Sequence, residues 1–264
     1  MAIADGGPRT RERTLRIGTP IAVGLLGLAV WQLLVGVVGV SSYLLPSPAE
    51  IASEWAANAS SIAEAAWITG TNAVLGLLVG GVVGVVMAAF ASRLRAFDQM
   101  LAPVVAALAV VPIVALAPVL NAMYGADSET GRRVIAAIAA FVPVFVNSLR
   151  GLRQTTPLHR DLMRSYAATG QQTFRALTLP TAAPYVVTGL RVASSLAVIS
   201  ALVAEYFGGP RGGLGSYIST SAATSAYARA WAYVGAAILL GLALYLLTVA
   251  LERLVNRALS GGSR

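Results

Sequence analysis

The sequence predicts an all-α integral membrane protein with six transmembrane helices, and composition and charge distribution support that prediction. Of the 264 residues, 57% are hydrophobic and 11% are charged, whereas a soluble domain normally has about 25% charged residues. The mean hydropathy is +0.73. Six runs contain neither a charged residue nor histidine, and they cover residues 17–49, 67–92, 99–126, 134–149, 192–204 and 231–251. Most of them reach the roughly 20 apolar residues that a helix needs to cross a bilayer, and the fourth and fifth do so through weakly polar flanking residues.

Residue types that several other function classes require are missing from the chain. All 19 basic residues are arginine, so the chain cannot contain a P-loop, whose lysine contacts the nucleotide phosphates. If ATP drives this protein, another chain must bind it. There is no cysteine, and the single His159 cannot form a histidine-rich metal site. We therefore expect no catalytic residue, metal or cofactor, and no cluster of acids or histidines indicates a membrane enzyme.

The arginine positions predict the orientation of the chain. Most arginines lie in the N-terminal tail, after the second helix, after the fourth helix and after the sixth. The positive-inside rule then places both termini and the long 150–180 loop in the cytoplasm of a bacterium. The multi-pass domain at 17–254 lies in the inner membrane, between tails at 1–16 and 255–264. The net charge of +8 follows from this topology and does not indicate nucleic-acid binding.

The first apolar run is expected to remain as an uncleaved helix. A basic patch followed by an apolar run also resembles a signal peptide. However, this run is longer than a usual signal-peptide core, and no clear small-residue cleavage site follows it.

The two outer links carry local structural signals. In the first, Ser47 is a candidate N-cap with Pro48 at the first helical position, and an amphipathic stretch follows along the outer interface. The second link, residues 205–215, is rich in glycine, which permits turns with positive φ. Both a plain outer turn and a phosphate cradle are conceivable there, and we favour the turn.

Two transmembrane helices contain informative small residues and prolines. The second helix has Gly76, Gly80 and Gly84 at four-residue spacing, which lets helix backbones approach closely. That packing face could lie within the subunit or at a dimer interface. The third helix contains three prolines, so it should be kinked or interrupted. Since irregular backbone at membrane depth is tolerated in a protein interior or beside a cavity, we favour a pore-lining helix over a merely bent one.

Few polar groups are available to a solute inside the membrane. We expect no charged residue deep in the spans, which disfavours a proton-coupled carrier but leaves sodium coupling possible. Arg191 is placed near a helix start. The pore-lining candidates, each of which could instead be an interhelical hydrogen-bonding partner, are Asn72, Pro112, Pro118, Asn121, Asn147, Ser194, Ser195 and Ser200.

The 150–180 loop is predicted to contain a short amphipathic helix. Thr156 and Pro157 are typical of an N-cap and a first helical position, and the apolar residues Leu158, Leu162 and Tyr166 follow at four-residue spacing. A second short helix is expected from 171 to 177, before the pair Leu179-Pro180. The first helix could rest on the bilayer surface or insert into the groove of a partner protein.

This loop resembles the EAA loop of ABC importer permeases. The match rests on the segment from Asp161 to Ala167 and on Pro180, which follows thirteen residues later. Asp161 replaces the usual Glu, Ala167 replaces the usual Gly, and the two alanines of the pattern are also absent. Three further segments resemble the nitrate, sulfonate and taurine branch, which includes permeases for thiamine-pyrimidine precursors: Leu45-Pro46-Ser47-Pro48, Pro184-Tyr185 with Thr188-Gly189-Leu190-Arg191, and Ala204-Glu205 with Gly213-Leu214-Gly215.

The resemblance implies a type I ABC importer permease, with a coupling helix that seats in an ATPase groove. Its expected partners are a second copy of the chain, a pair of ATPase subunits and an extracytoplasmic solute-binding protein, all at the lipid bilayer. At Ala167, a backbone angle less extreme than glycine permits is expected. The implied ATPase-coupling residues are Arg160, Asp161, Arg164, Ala167, Ala168, Thr169, Gly170 and Pro180.

The resemblance leaves the transported solute open. A sulfonate, taurine or nitrate-like anion and a pyrimidine or other heterocyclic vitamin precursor are the two classes, with a slight preference for the heterocycle. The outward-facing Arg211 and Arg229 fit an anion weakly. A secondary carrier or channel that needs no ATPase is the alternative function, and a non-transporting membrane scaffold would not explain the proline-broken helix.

Overall fold

The computed structural model of the chain describes residues 9–41, 43, 45–125, 128–208 and 212–261, and the regular structure in these ranges is helical. The first half contains α1 (Arg9–Val38), α2 (Pro48–Ala57), α3 (Ala59–Arg93), α4 (Arg95–Val110) and α5 (Ile113–Tyr124). The second half contains α6 (Thr130–Leu152), α7 (Pro157–Ser165), α8 (Gly170–Thr173), a π-helical turn (Phe174–Thr178), α9 (Leu179–Tyr206), α10 (Leu214–Ala223) and α11 (Tyr227–Gly261).

The helices long and apolar enough to cross a membrane agree with the predicted six spans. Five are α1, α3, α6, the continuous α8–α9 segment and α11. The sixth consists of α4 and α5, which meet at an angle of 97°. The predicted interruption of the third span is therefore confirmed. Pro112 explains its position, because a proline has no N–H to donate and keeps the preceding Val111 in an extended conformation.

Helix α2 begins as the sequence predicts. The Ser47 hydroxyl accepts a hydrogen bond from the N–H of Glu50 at 3.2 Å, and the Glu50 carboxylate accepts one from the N–H of Ser47 at 2.8 Å. Pro48 occupies the first turn. This reciprocal pair satisfies two donors that the start of a helix would otherwise leave free.

The centre of the fold is a close three-helix contact, with α6 between α3 and α9. A Cβ at Gly76 would lie 2.4 Å from the Cβ of Ala136, and one at Gly80 would lie 2.2 Å from the carbonyl oxygen of Ala137. On the other side of α6, a Cβ at Gly189 would lie 3.1 Å from the Pro143 carbonyl oxygen. The glycine stripe of α3 therefore packs within the subunit, which decides between the two locations that the sequence left open.

The periphery is apolar and exposed, as a surface in contact with lipid requires. The membrane-spanning part of α1 has few buried residues, and α11 exposes leucines on its outer side. On α3, the face opposite the glycine stripe carries Val79 and Val82, which are more than half exposed. Apolar side chains thus surround a core of small residues, the arrangement expected of membrane helices that pack through Gly and Ala.

The region after α7 differs from the prediction of an isolated second helix at 171–177. Thr169 caps α8, because its hydroxyl accepts from the N–H of Gln172 while the Gln172 side chain accepts from the N–H of Thr169. The helix then continues through the π-helical turn into α9 without a break. In a regular α-helix the ring of Pro180 would clash with the carbonyl of Ala176, and the wider π turn contains that carbonyl. Much of the 150–180 segment is therefore helical.

We predict that Gly80→Ala destabilises the protein although alanine favours helices more than glycine does. The new methyl group has no space beside the Ala137 carbonyl, and overpacking of this kind costs about 1–3 kcal/mol. Thermal unfolding in detergent measures the effect. Gly24→Ala is the matched control, because no atom lies within 4 Å of its added Cβ. A Gly80→Ala protein at least as stable as the native chain would contradict the close contact.

Candidate functional site

Helix α7 exposes an apolar stripe. Its N-cap is Thr156, whose hydroxyl accepts a hydrogen bond from the N–H of His159 at 3.3 Å, and Pro157 occupies the first turn. The predicted start of this helix is therefore confirmed. Leu158, Leu162 and Tyr166 are 76%, 52% and 76% exposed, and no residue of α7 is buried. A helix with an uncovered apolar side requires either lipid or another protein to cover it.

The end of α7 has a backbone conformation that the sequence analysis did not expect. Ala167 has φ +51°, in the left-handed region, so the expectation of a milder angle was wrong. Its N–H donates to the Arg164 carbonyl at 2.9 Å, and the N–H of Ala168 donates to the Met163 carbonyl at 3.0 Å. These two bonds form a Schellman motif, in which a left-handed residue ends the helix. They stabilise a conformation that costs a non-glycine residue about 1 kcal/mol.

The charged residues of α7 make local contacts. Arg164 and Asp161 form an ion pair at 3.0 Å in which both side chains are largely exposed, so it adds little stability. Arg160 donates to the hydroxyl of Thr155 from Nε and Nη2, at 3.0 and 2.8 Å.

The predicted coupling residues fall into two groups in the chain. Arg160, Asp161 and Arg164 lie on α7, Ala167 and Ala168 form its C-terminal turn, and Thr169 and Gly170 begin α8. Pro180 is separate from them, because it lies in the first turn of α9 beyond the π-helical turn.

A cavity of 380 Å³ lies beside the break between α4 and α5. Its lining comes from α4, α5, α6 and α9, and among the described residues that line it Asn147 alone has a polar side chain. The amide nitrogen of Asn147 donates to the Pro143 carbonyl at 2.8 Å, which leaves the amide oxygen available. Pro112, at the break, and Pro118, on α5, are exposed. The interrupted backbone and an amide thus meet at one cavity.

Other pore-lining candidates lie between helices of a single subunit. Asn121, Ser194 and Ser200 are buried, and the Ser194 hydroxyl donates to the Arg191 carbonyl at 2.7 Å. Asn72 is fully buried and donates from Nδ2 to Glu129 at 2.5 Å. Ser195 is half-buried and lines a second, largely apolar cavity of 330 Å³ between α9, α10 and α11. A pore-lining role for these residues remains a prediction.

A buried carboxylate that the sequence analysis assigned to an outer loop is the centre of a polar cluster. Glu205 lies in the last turn of α9 and is fully buried. Its carboxylate accepts hydrogen bonds from the Thr69 hydroxyl at 2.7 Å and from the N–H of Gly215 at 3.1 Å. Close to it, the fully buried Arg132 pairs with Glu129 at 2.7 Å. A buried charge is tolerated when it is paired and hydrogen-bonded in this way.

The described glycines at the start of α10 pack against this carboxylate. Gly213 has φ +99°, and a Cβ there would lie 2.6 Å from the Glu205 carboxylate. The N–H of Leu214 donates to the Thr69 hydroxyl at 2.8 Å, so the start of α10 is bound to the same cluster. An acid three residues before a glycine-rich stretch was the sequence signal for this arrangement. Residues 209–211, which include Arg211, lie outside the described part of the chain.

A second ion pair joins two of the helices that are long enough to span a membrane. Arg191 does not lie near a helix start, because the π-helical turn joins α8 to α9 and places it well inside the continuous span. It donates to Glu252 of α11 at 2.8 Å, and the Thr188 hydroxyl donates to the other Glu252 oxygen at 2.8 Å. Arg229, expected to face outward, pairs with Glu54 at 2.9 Å. Among the described residues, no acidic or histidine side chains are grouped as a metal site would require.

Comparison with known proteins identifies the class of this membrane protein. The chain is 31% identical over 250 residues to the riboflavin transport system permease protein of Chloroflexus aurantiacus, covering 91% of this chain and 90% of that protein. It is 28% identical to the formylaminopyrimidine transport permease protein of Halalkalibacterium halodurans, over 76% of this chain and 80% of that protein. The identity is also 28% with the putative aliphatic sulfonates transport permease protein of Escherichia coli, over 72% and 76% of the two chains.

The match to a family covers most of the chain. Residues 80–261, from the middle of α3 to the end of α11, match the binding-protein-dependent transport system inner membrane component family. This range includes the broken span, α7 and Glu205 itself, whereas the Thr69 that binds Glu205 lies before it. Members of this family are multi-pass membrane permease subunits rather than enzymes. The chain therefore belongs to the binding-protein-dependent transport system inner membrane component family, and within it to the nitrate and sulfonate branch of ABC transport permeases.

Proposed function

We propose that this chain is the permease subunit of an ATP-driven importer for a small organic solute or anion. Two copies form a homodimer in the bacterial inner membrane, with both termini in the cytoplasm. A pair of ATPase subunits binds on the cytoplasmic side, and a solute-binding protein delivers the solute from the other side. The observation that carries this proposal is α7, a short helix that exposes an apolar stripe between two membrane spans.

The connections of α7 suit the transmission of movement. Only residues 153–156 separate it from α6, and the Schellman turn leads directly into α8 and the fifth span. At the end of α6, Arg153 pairs with Asp98 of α4 at 2.8 Å and donates to the Ala91 carbonyl of α3 at 3.1 Å. A displacement of α7 by a closing ATPase dimer would therefore be transmitted to α3, α4, α6 and α9.

The exposed apolar stripe of α7 is more stable when it is buried in the groove of another protein than when it faces water. Burial of a leucine side chain stabilises a complex by about 1.5–3 kcal/mol, and α7 offers two leucines and a tyrosine on one side. A secondary carrier or channel would use the same spans but would have no need for this stripe. The bilayer surface is the competing location, and it predicts that the stripe contacts lipid rather than an ATPase.

The cavity at the α4–α5 break is the proposed passage for the solute, with Asn147 as its polar contact. Its lining residues carry no charge. An anion there would lose hydration without gaining a cationic partner, which is unfavourable in a region of low polarity. We therefore favour an uncharged heterocyclic solute over nitrate or a sulfonate. The transport of riboflavin and of a formylaminopyrimidine by two relatives, as their names state, agrees with this choice.

We predict that Leu162→Glu abolishes binding of the cognate ATPase subunit while the permease still inserts and dimerises. A charge within an apolar groove would weaken the complex more than tenfold, since each 1.4 kcal/mol is a factor of ten. Co-purification from detergent measures binding, and size-exclusion chromatography measures the dimer. Leu254→Glu, at an exposed leucine of α11, is the matched control and retains the ATPase. Native-level ATPase binding by Leu162→Glu would contradict the proposed role of α7.

We predict that Ala139→Cys reacts rapidly with N-ethylmaleimide, because Ala139 lines the cavity at the helix break. The native chain contains no cysteine, so a single introduced thiol reports its own surroundings. Leu247→Cys, on the exposed outer side of α11, is the control for a lipid-facing thiol and should react at least tenfold more slowly. Equal labelling rates in membrane vesicles would show that the cavity faces lipid and would overturn the proposed passage.

A further inference from the structure

A cavity of 860 Å³ lies next to α7 but is separate from the passage at the helix break. Its walls are the last turns of α3, the face of α7 that carries Arg160 and Arg164, and α8 with the π-helical turn. One part of the lining is apolar and includes Val86, Phe90 and Phe174. Another part is basic and consists of Arg93, Arg160 and Arg164. A ligand for this cavity must therefore combine negative charge with apolar groups.

The positive charge at this cavity is only partly compensated. Arg164 pairs with Asp161, while Arg160 donates to the neutral hydroxyl of Thr155. The Arg93 guanidinium lies 5.4 Å from the centre of the Phe174 ring. Among the described residues, neither Arg93 nor Arg160 forms an ion pair. The nearby Asp98 pairs with Arg153. Three guanidinium groups thus converge beside a single carboxylate.

The apolar wall of the cavity continues along the membrane-spanning surface of α3. Five exposed side chains at spacings of three and four residues share one face of this helix and end at the cavity: Leu75, Val79, Val82, Val86 and Phe90. An acyl chain that follows this face would reach the arginines at the end of the span. The arginines therefore lie where a phospholipid head group lies when its chains are in the hydrocarbon layer.

We propose that this cavity binds an anionic phospholipid, with its phosphate group on Arg93, Arg160 and Arg164 and its acyl chain along the exposed face of α3. The proposal rests on the orientation in the proposed function, which places this end of α3 in the cytoplasmic leaflet. A zwitterionic lipid would not compensate the excess charge, and a free anion would leave the apolar wall uncovered. The bound lipid joins the end of α3 to α7 and α8, so it positions the helix that is proposed to contact the ATPase.

Native mass spectrometry of the purified permease tests this site with phosphatidylglycerol and phosphatidylcholine as probes. The native chain should retain phosphatidylglycerol at least fivefold more strongly than phosphatidylcholine. Arg93→Gln should lower that preference about fivefold, and Arg93→Lys should keep it, because each basic residue contributes about a fivefold gain for an anionic head group. Arg257→Gln, on α11 away from the cavity, is the control and should behave as the native chain does.

Three results would overturn the lipid site. The first is equal retention of the two lipids, and the second is a full preference for phosphatidylglycerol in Arg93→Gln. The third is displacement of phosphatidylglycerol by millimolar inorganic phosphate, which would identify a free-anion site. Size-exclusion chromatography verifies that each variant is folded. The measurement uses the permease without ATPase. Its result can therefore be interpreted even if the coupling proposal is wrong.

Discussion

The close approach of α3 and α9 to α6 is the constraint on which the rest of the structure depends. Within a bilayer, apolar side chains gain little by leaving lipid for one another, so helices associate through van der Waals contact at small residues. Gly76 and Gly80 provide that contact on one side of α6, and Gly189 provides it on the other. Of these three helices, α6 and α9 also line the cavity beside the broken span, and α6 leads into α7.

Charged groups add directional contacts to this apolar packing. Glu205 binds Thr69 and the backbone of Gly215, which fixes α3, α9 and the start of α10 at one end of the bundle. Arg191 and Glu252 join α9 to α11 further along the span. Each of these polar side chains is hydrogen-bonded or ion-paired, as is required where water is scarce. The outer helices are therefore attached to the central trio by a few specific bonds rather than by shape alone.

The sequence was informative wherever local chemistry determines structure. The spans follow from long apolar runs, the break follows from Pro112, and the start of α7 follows from the Thr156 hydroxyl. It was less informative where distant contacts determine the ends of helices. Glu205 lies in the last turn of α9, and its carboxylate is bound by Thr69, which is more than a hundred residues away in the sequence.

Two further differences between the sequence predictions and the structure, at Arg191 and at Ala167, have physical causes of the same kind. Arg191 was misplaced because a π-helical turn joins α8 to α9, and single-sequence periodicity does not reveal such a turn. Ala167 adopts a left-handed conformation because two backbone bonds of the Schellman motif hold it there, although its side chain does not favour that region. Local sequence patterns do not identify the proposed partners, because partner binding also depends on the surfaces of other chains.

Site-specific photo-cross-linking from α7 most directly tests the central proposal that this helix transmits ATP-driven movement. A benzophenone amino acid at Leu158 should form a covalent adduct with the cognate ATPase in native membranes, and the adduct yield should change when ATP closes the ATPase dimer. The same probe at Leu254 should form no such adduct. If the probe at Leu158 reacts with lipid alone in the presence of the ATPase, α7 lies on the bilayer surface and the coupling proposal is wrong.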